Sequence, residues 1–352
     1  MSTTESRSFA ASLPKVHLHC HLEGTLRAQT FLELIDRYGY STRYRPGAGA
    51  EFAGEEHERP RTVEDVYRFD DFPEFLLLFA AVSRALARPE DYARLSREFV
   101  EDALAQHVVY GELFISPSVW TFFYPEFDVR AAIDAIYAEL QRARPHADFR
   151  LIADVTRNFG ADSAMNTAKL AATFVDAGVI GIGLGGDEAR FPGELFAGVF
   201  DFARSEGLHT VAHAGEAAGA QSVRAAVEVL RAERIGHGVR ALEDPAVVQL
   251  LVERRIPLEI CPTSNFLTGA ASREAPHPLV ELDRDGVVVT IDSDDPSLFG
   301  TSITNEYDYV ARLAGRDALG RFVNQSVEAS FLEQEAKRAL RARVSAELLT
   351  AQ

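Results

Sequence analysis

The chain has 352 residues, 47% of them hydrophobic and 25% charged, with a formal net charge of −17; it can build a large core, and its acidity excludes a nucleic-acid backbone or an anionic membrane surface as natural partner. Two cysteines far apart in sequence, Cys20 and Cys261, rule out a disulfide framework and a Cys-x-x-Cys zinc cluster. The polar opening at 1–13 lacks the apolar core of a secretion signal, and no apolar run is long enough to span a bilayer, so a cytoplasmic location is expected.

In chain order, eight short apolar runs read as strands: 15–19, 109–115, 149–155, 179–184, 209–213, 234–236, 257–260 and 287–291. Amphipathic stretches at 89–106, 129–143, 161–177, 193–205, 220–232 and 244–253 lie between them as helices. Strand-then-helix alternation predicts a parallel sheet, and eight strands favour a closed (β/α)8 TIM barrel, one α/β domain spanning 1–352. The glycines at 181–186 open no helix, so the dinucleotide-binding fingerprint is not met. A helical insertion at about 26–106 follows the first strand. Its Pro/Gly/Glu-rich part, 45–60, reads as a loop, either a lid or plain surface. After the eighth strand, 306–349 reads as two or three extra C-terminal helices that close the chain.

The chemistry-bearing residues cluster at the predicted strand ends, where barrel enzymes keep their sites. The first strand ends Lys15-Val16-His17-Leu18-His19-Cys20-His21-Leu22-Glu23-Gly24. Side chains alternate along a strand, so His17, His19 and His21 are expected on one face at the barrel mouth. The pair nearest the tip, His19 and His21, is the expected metal-binding pair; His17 lies deeper, as a supporting residue or an alternative ligand. His213 ends the fifth strand with Glu216 three residues on, His237 follows the sixth between two glycines, and Asp292, Asp294 and Asp295 crowd the eighth. Such carboxylates repel one another unless a cation or a donor-rich ligand sits among them.

Three imidazoles and one aspartate suit one Zn²⁺ per chain, with an open position for water. Bound zinc lowers the pKa of its water toward ~7. His237 and the ligand aspartate are then expected to orient and deprotonate that water, protonated Glu216 to donate to the substrate, and Asp295 to hold a donor on it.

Six short motifs in this order carry a resemblance: Leu18-His19-Cys20-His21-Leu22-Glu23-Gly24, Gly185-Gly186-Asp187-Glu188, His213-Ala214-Gly215-Glu216, Gly236-His237-Gly238, Cys261-Pro262-Thr263-Ser264-Asn265 and Ser293-Asp294-Asp295-Pro296. From Pro14 to about Glu306 the sequence resembles the adenosine deaminase family of the metal-dependent amidohydrolase superfamily. The resemblance implies His19, His21, His213 and Asp294 as metal ligands, Glu216 as proton donor to purine N1 and His237 as the group serving the attacking water. It implies ring contacts from Gly186 at N3 and Asp295 at N7.

The expected substrate is therefore a small-molecule purine nucleoside, adenosine or 2′-deoxyadenosine, converted to inosine or deoxyinosine plus ammonia by a monomer or homodimer. Family members commonly carry Asp-Gly where this chain has Glu23-Gly24; the acid contacts the sugar, and a glutamate shifts that contact. Adenine deaminases favour Glu there, and a further subgroup acts on aminodeoxyfutalosine, an adenine nucleoside with an aromatic acid on its sugar. Arg157 either faces such a carboxylate or balances nearby acids. Phe72 and Leu76 either form a hydrophobic wall over the nucleoside or pack their helix. A two-metal amidohydrolase is disfavoured because no lysine ends the fourth strand, and a nucleoside-binding pseudoenzyme because no ligand or proton donor is missing.

Overall fold

Runs rich in Val, Ile and Leu with few turn-forming residues form the strands, as burial on both faces of a parallel sheet demands. In the computed structural model, which describes residues 9–42 and 65–351, they are β1 (Lys15–His21), β2 (Val108–Ile115), β3 (Asp148–Thr156), β4 (Val179–Gly185), β5 (His209–Ala214), β6 (Arg234–His237), β7 (Leu258–Ile260) and β8 (Val289–Ile291). They lie in sequence order and every neighbouring pair is parallel. β8 meets β1 through the Cys20–Asp294 bridge: Asp294 N–H donates to His19 O (3.0 Å) and His21 N–H donates to Asp294 O (3.0 Å). The expected (β/α)8 barrel is observed, and the residues that join its first and last strands are the ones the sequence marks for chemistry. The stretch at 45–60, expected to be a lid or a surface loop, lies outside the described residues.

Helices Ala28–Tyr38, Phe72–Ala85 and Pro89–Ala105 form the insertion after β1. The second starts where Asp71 accepts from the Glu74 N–H and a proline occupies the first turn. Its residues 72, 75, 76 and 79 share one face at helical spacing. The helix expected at 161–177 is divided: Gly160–Ala172 is followed by a single 3-10 turn, Val175–Ala177, that Gly178 ends at φ +80°. Helices Ile303–Ala314, Arg316–Ala329 and Gln334–Ala351 close the chain. Inside the barrel, Phe331 packs with Phe114, Ile152 and Val211. The Arg234 guanidinium stacks 3.6 Å from the Phe331 ring and pairs with Glu112 and Glu259, so these buried charges are matched. Among the described residues, no helix is long and apolar enough to cross a membrane.

Candidate active site

Four strand ends bring the marked histidines and acids together. His19 sits on β1 with its Nδ1 2.7 Å from Glu259 Oε2. An Nδ1–H donated to that carboxylate leaves the Nε2 lone pair facing the barrel mouth, and Nε2 is buried with no hydrogen-bond partner. His213, at the end of β5, does the same with a backbone acceptor: its Nδ1 lies 3.1 Å from Leu184 O. His21 stacks on Phe114 (centroids 4.9 Å apart) and brings its Nε2 within 3.1 Å of His213 Nε2. Burial holds the His21 imidazole at a pKa of about 3 and His213 well below the ordinary value, so both are neutral, the form that binds a metal.

Asp294 reaches the same point from beyond β8. Its Oδ1 lies 3.5 Å from His19 Nε2 and 3.4 Å from His21 Nε2, while Oδ2 accepts from Ser264 Oγ at 2.6 Å. Although burial opposes ionisation, the adjacent His19, whose own pKa Asp294 and Glu259 raise well above the usual value in spite of burial, holds the Asp294 carboxyl well below its usual range. Its backbone is left-handed, φ +64°, a strained position that turns the side chain inward after the strand.

These atoms fit a metal. The ligand atoms of a tetrahedral zinc stand about 3.3 Å apart, given Zn–N of ~2.0–2.1 Å. Three of the six separations among His19, His21, His213 and Asp294 are 3.1 Å (His21–His213), 3.4 Å (His21–Asp294) and 3.5 Å (His19–Asp294). The His21 and His213 Nε2 atoms, 3.1 Å apart, either share the proton of an Nε2–H His21 or face a cation together; in the second case His21 carries its proton on Nδ1. His237 also falls within the cluster: ligand-type atoms of His19, His213, His237 and Asp294 lie within 4.8 Å of one another, as do those of His21, Asp294 and Asp295.

His237, at the end of β6, has φ +62° and is held at Nδ1 by the Asn265 side-chain amide (3.0 Å). Its Nε2 is buried without a hydrogen-bond partner, 3.6 Å from Glu216 Oε2 and 3.8 Å from Asp294 Oδ2. Glu216 is positioned by its own main chain. The Glu188 carboxylate accepts the N–H groups of Gly215 (2.6 Å), Glu216 (3.1 Å), Ala217 (2.8 Å) and Ala218 (2.9 Å). Burial, then the nearby Asp294 and Glu188 charges, push the Glu216 carboxyl well above its usual pKa. The Asp295 carboxyl is likewise pushed up, by burial and by Asp294. Only a glycine fits beside it: a Cβ on Gly24 would lie 2.5 Å from Asp295 Cβ and Cγ, and closer still to Oδ1.

The mouth opens into a cavity of about 330 Å³ lined by His21, His213, Glu216, His237, Asp294 and Asp295 at its inner end and by aromatic residues farther out. Phe72 and Leu76 line it, as does Gly186, where φ is +97° and the Asn158 side chain fills the space of a Cβ.

Three of the marked residues lie away from the substrate cavity. A register shift between His17 and Cys20 breaks strand alternation, and Leu18 N–H and His19 N–H both donate to Asp292 Oδ1 (2.6 and 3.0 Å). His17 consequently leaves the metal-side face. Its Nε2 lies 3.0 Å from Ser293 Oγ, and with Cys20 and Phe99 it lines a second cavity, of about 300 Å³. Arg157 does not line the substrate cavity: its guanidinium donates to Phe191 O (2.8 Å) and His213 O (2.6 Å), bracing the end of β5. Nor does Glu23, whose Oε1 accepts from Ser116 N–H (3.0 Å) and Trp120 Nε1–H (2.8 Å) behind the wall. Sequence reasoning missed Glu188, Glu259 and Asp154 as individual residues. The last two are acids inside otherwise apolar strands, a pattern that signals a buried partner or ligand.

Imidazoles and carboxylates converging at the C-terminal mouth of a (β/α)8 barrel define an amidohydrolase-type hydrolase. The chain belongs to the adenosine deaminase family, whose family model, described as adenosine deaminase, matches residues 14–347. It is similar to an aminodeoxyfutalosine deaminase of Streptomyces avermitilis, 39% identical over 97% of this chain and 92% of that one. An adenine deaminase of Vibrio parahaemolyticus is 34% identical over 96% of each. Among solved structures, an amidohydrolase from Burkholderia ambifaria with bound Zn superposes with a TM-score of 0.84 at 27% identity, covering 100% of this chain and 94% of that one. The protein is thus a hydrolase acting on C–N bonds, a deaminase of adenine-type substrates.

Proposed function

We propose that the substrate is an adenine nucleoside, deaminated at C6 with water and released as the 6-oxopurine nucleoside plus ammonia. The observation that carries this reading is the cavity of about 330 Å³, whose lining runs from the His/Asp cluster to Phe122, Phe123 and Phe159.

In this reading His19, His21, His213 and Asp294 would hold one Zn²⁺, which would supply the Lewis acidity that makes water nucleophilic at neutral pH. Every other step falls to side chains. His237, fixed by Asn265, orients the water through Nε2, and with the Asn265 amide turned so that its Oδ1 accepts Nδ1–H the Nε2 lone pair is free to take the water's proton. Burial and the neighbouring Asp294 and Glu188 charges raise the Glu216 pKa and so favour its protonated form; it donates to N1 as electron density builds there. Asp295, also favoured as the neutral acid, donates to N7. The Gly186 backbone approaches N3. The first water proton, taken by His237, passes to the departing amino group, which leaves as ammonia as the C6–N bond breaks; the second leaves the new C6 oxygen as the 6-oxo group forms and restores the Glu216 acid.

Adenosine and 2′-deoxyadenosine are the expected nucleosides. The aromatic outer wall, formed by Phe72, Phe79, Phe122, Phe123 and Phe159, supports a second reading in which the sugar carries an aromatic group, as in aminodeoxyfutalosine. Against its acid, no Lys or Arg lines the cavity among the described residues.

The test is the ultraviolet change on deamination, followed with zinc-loaded protein and adenosine, 2′-deoxyadenosine, adenine and aminodeoxyfutalosine. Nucleosides are expected to have a kcat/KM above that of adenine. Adenine as the preferred substrate overturns the reading.

A further inference from the structure

Glu23, the acid that the sequence points to for the sugar, is held behind the cavity wall by Trp120 and Ser116. Another carboxyl does line the cavity. Asp154, near the mouth end of β3, is 6% exposed, and its Oδ1 is buried with no hydrogen-bond partner. A buried polar atom without a partner is costly, and its persistence calls for a ligand or a water that fills the gap.

The neighbouring strand is shaped around this group. Asp154 pairs in register with Gly183 of β4, and Thr156 pairs with Gly185. A Cβ at Gly183 would lie 2.5 Å from Asp154 Oδ1 and one at Gly185 would lie 2.6 Å from Oδ2. Two side chains are thus omitted where the carboxyl turns into the barrel mouth. Thr156, Asn158 and Ser116 line the same stretch and extend its polar surface.

Purine chemistry identifies what this stretch meets. N9, which carries the sugar, is bonded to the same ring carbon as N3. With N3 at Gly186, as in the reading above, the base sets its N9 edge beside β4, whose glycines stand against Asp154.

We propose that Asp154 is a sugar-binding specificity residue: its carboxyl exchanges a hydrogen bond with a hydroxyl of the nucleoside and so favours nucleoside over free base. This rests on the adenine-nucleoside reading above. Asp154 touches no reacting atom, so its contribution is uniform through the reaction and falls on KM rather than kcat.

The experiment compares zinc-loaded wild type, Asp154→Ala and Asp154→Asn on adenosine, its 2′-, 3′- and 5′-deoxy analogues and adenine, with melting temperature and zinc content measured for each. Asp154→Ala is expected to lose roughly 10- to 100-fold in kcat/KM on adenosine, mainly through KM, and to stay within about threefold on adenine. Asp154→Asn, which keeps an acceptor and a donor, recovers part of the loss. One deoxy analogue should show in the wild type the loss that Asp154→Ala shows on adenosine, with no further loss in the variant; that analogue names the hydroxyl. Inhibition by inosine, weakened in Asp154→Ala, against inhibition by hypoxanthine, unchanged, reads the same contrast without turnover.

Equal losses on nucleoside and base, or no loss on either, overturn the proposal while leaving the nucleoside reading intact. A wild type that prefers adenine overturns both, and that result is read before any variant is made.

Discussion

Glu188→Gln tests whether the Glu216 turn is held by one buried carboxylate. Glu188 Oε1 accepts from Gly215 N–H, and Oε2 accepts from the N–H groups of Glu216, Ala217 and Ala218. Glutamine preserves the shape but offers a single acceptor oxygen. Its best placement puts that oxygen at the Oε2 position and keeps three bonds, which sets its NH₂ against the Gly215 N–H, donor facing donor. One buried N–H then loses its acceptor, at about 1–3 kcal/mol. The three retained bonds weaken as well, since charge-assisted hydrogen bonds are roughly twice as strong as neutral ones. If the turn relaxes and carries Glu216 away from N1, the first loss alone amounts to roughly a 5- to 150-fold fall in kcat/KM. The assay is steady-state deamination with zinc content and melting temperature measured on the same preparations. The fall should be carried by kcat, at full zinc occupancy. A Glu188→Gln protein with kcat within twofold of wild type refutes the reasoning, whether or not its melting temperature drops.

Gly24→Ala places a methyl group 2.5 Å from Asp295 Cβ and Cγ, so the Asp295 carboxyl must shift by about 1 Å; misplacement on that scale costs on the order of 10²-fold in rate. Wild-type kinetics in this variant remove Asp295 from the ring contact. Glu216→Gln cannot supply a proton to N1 and is expected to lose about 10²- to 10⁴-fold in kcat; near-normal turnover rules Glu216 out as the acid. The active form carries the proton, and burial with the Asp294 and Glu188 charges raises the Glu216 pKa, so kcat should decline as pH rises through a value above the usual carboxylate range. A kcat profile that instead climbs with pH above that range contradicts the assignment. Chelation should abolish turnover and lower the melting temperature, because an ion bound only by the folded chain stabilises it. One equivalent of Zn²⁺ should restore both; a requirement for two equivalents contradicts the single-metal reading.

The sequence alone determined the eight strands, their parallel order and the strand ends at which chemistry gathers. Those features are local: apolar runs set the strands, and histidines and acids placed just past them stand at the mouth whatever the rest of the chain does. His19, His21, His213, His237, Asp294, Asp295 and Glu216 were legible for that reason, and the structure brings them to one point. Tertiary structure decided whatever depends on a partner remote in sequence. The His17 side chain changes face because two β1 amides bond to Asp292, more than 270 positions away, and no pattern within β1 encodes that bulge. Glu259 selects the His19 tautomer from 240 positions away. For Arg157 the sequence offered a substrate acid or the nearby acids as partner, and the fold gives its guanidinium the Phe191 and His213 carbonyls. Glu23 turns from the cavity because Trp120, 97 positions on, supplies a buried donor. Asp154 turns into it because β4 has glycines where side chains would stand. Residue type and spacing announce which groups can do chemistry; which way each one faces is settled by the hydrogen bonds that buried polar atoms must find across the fold.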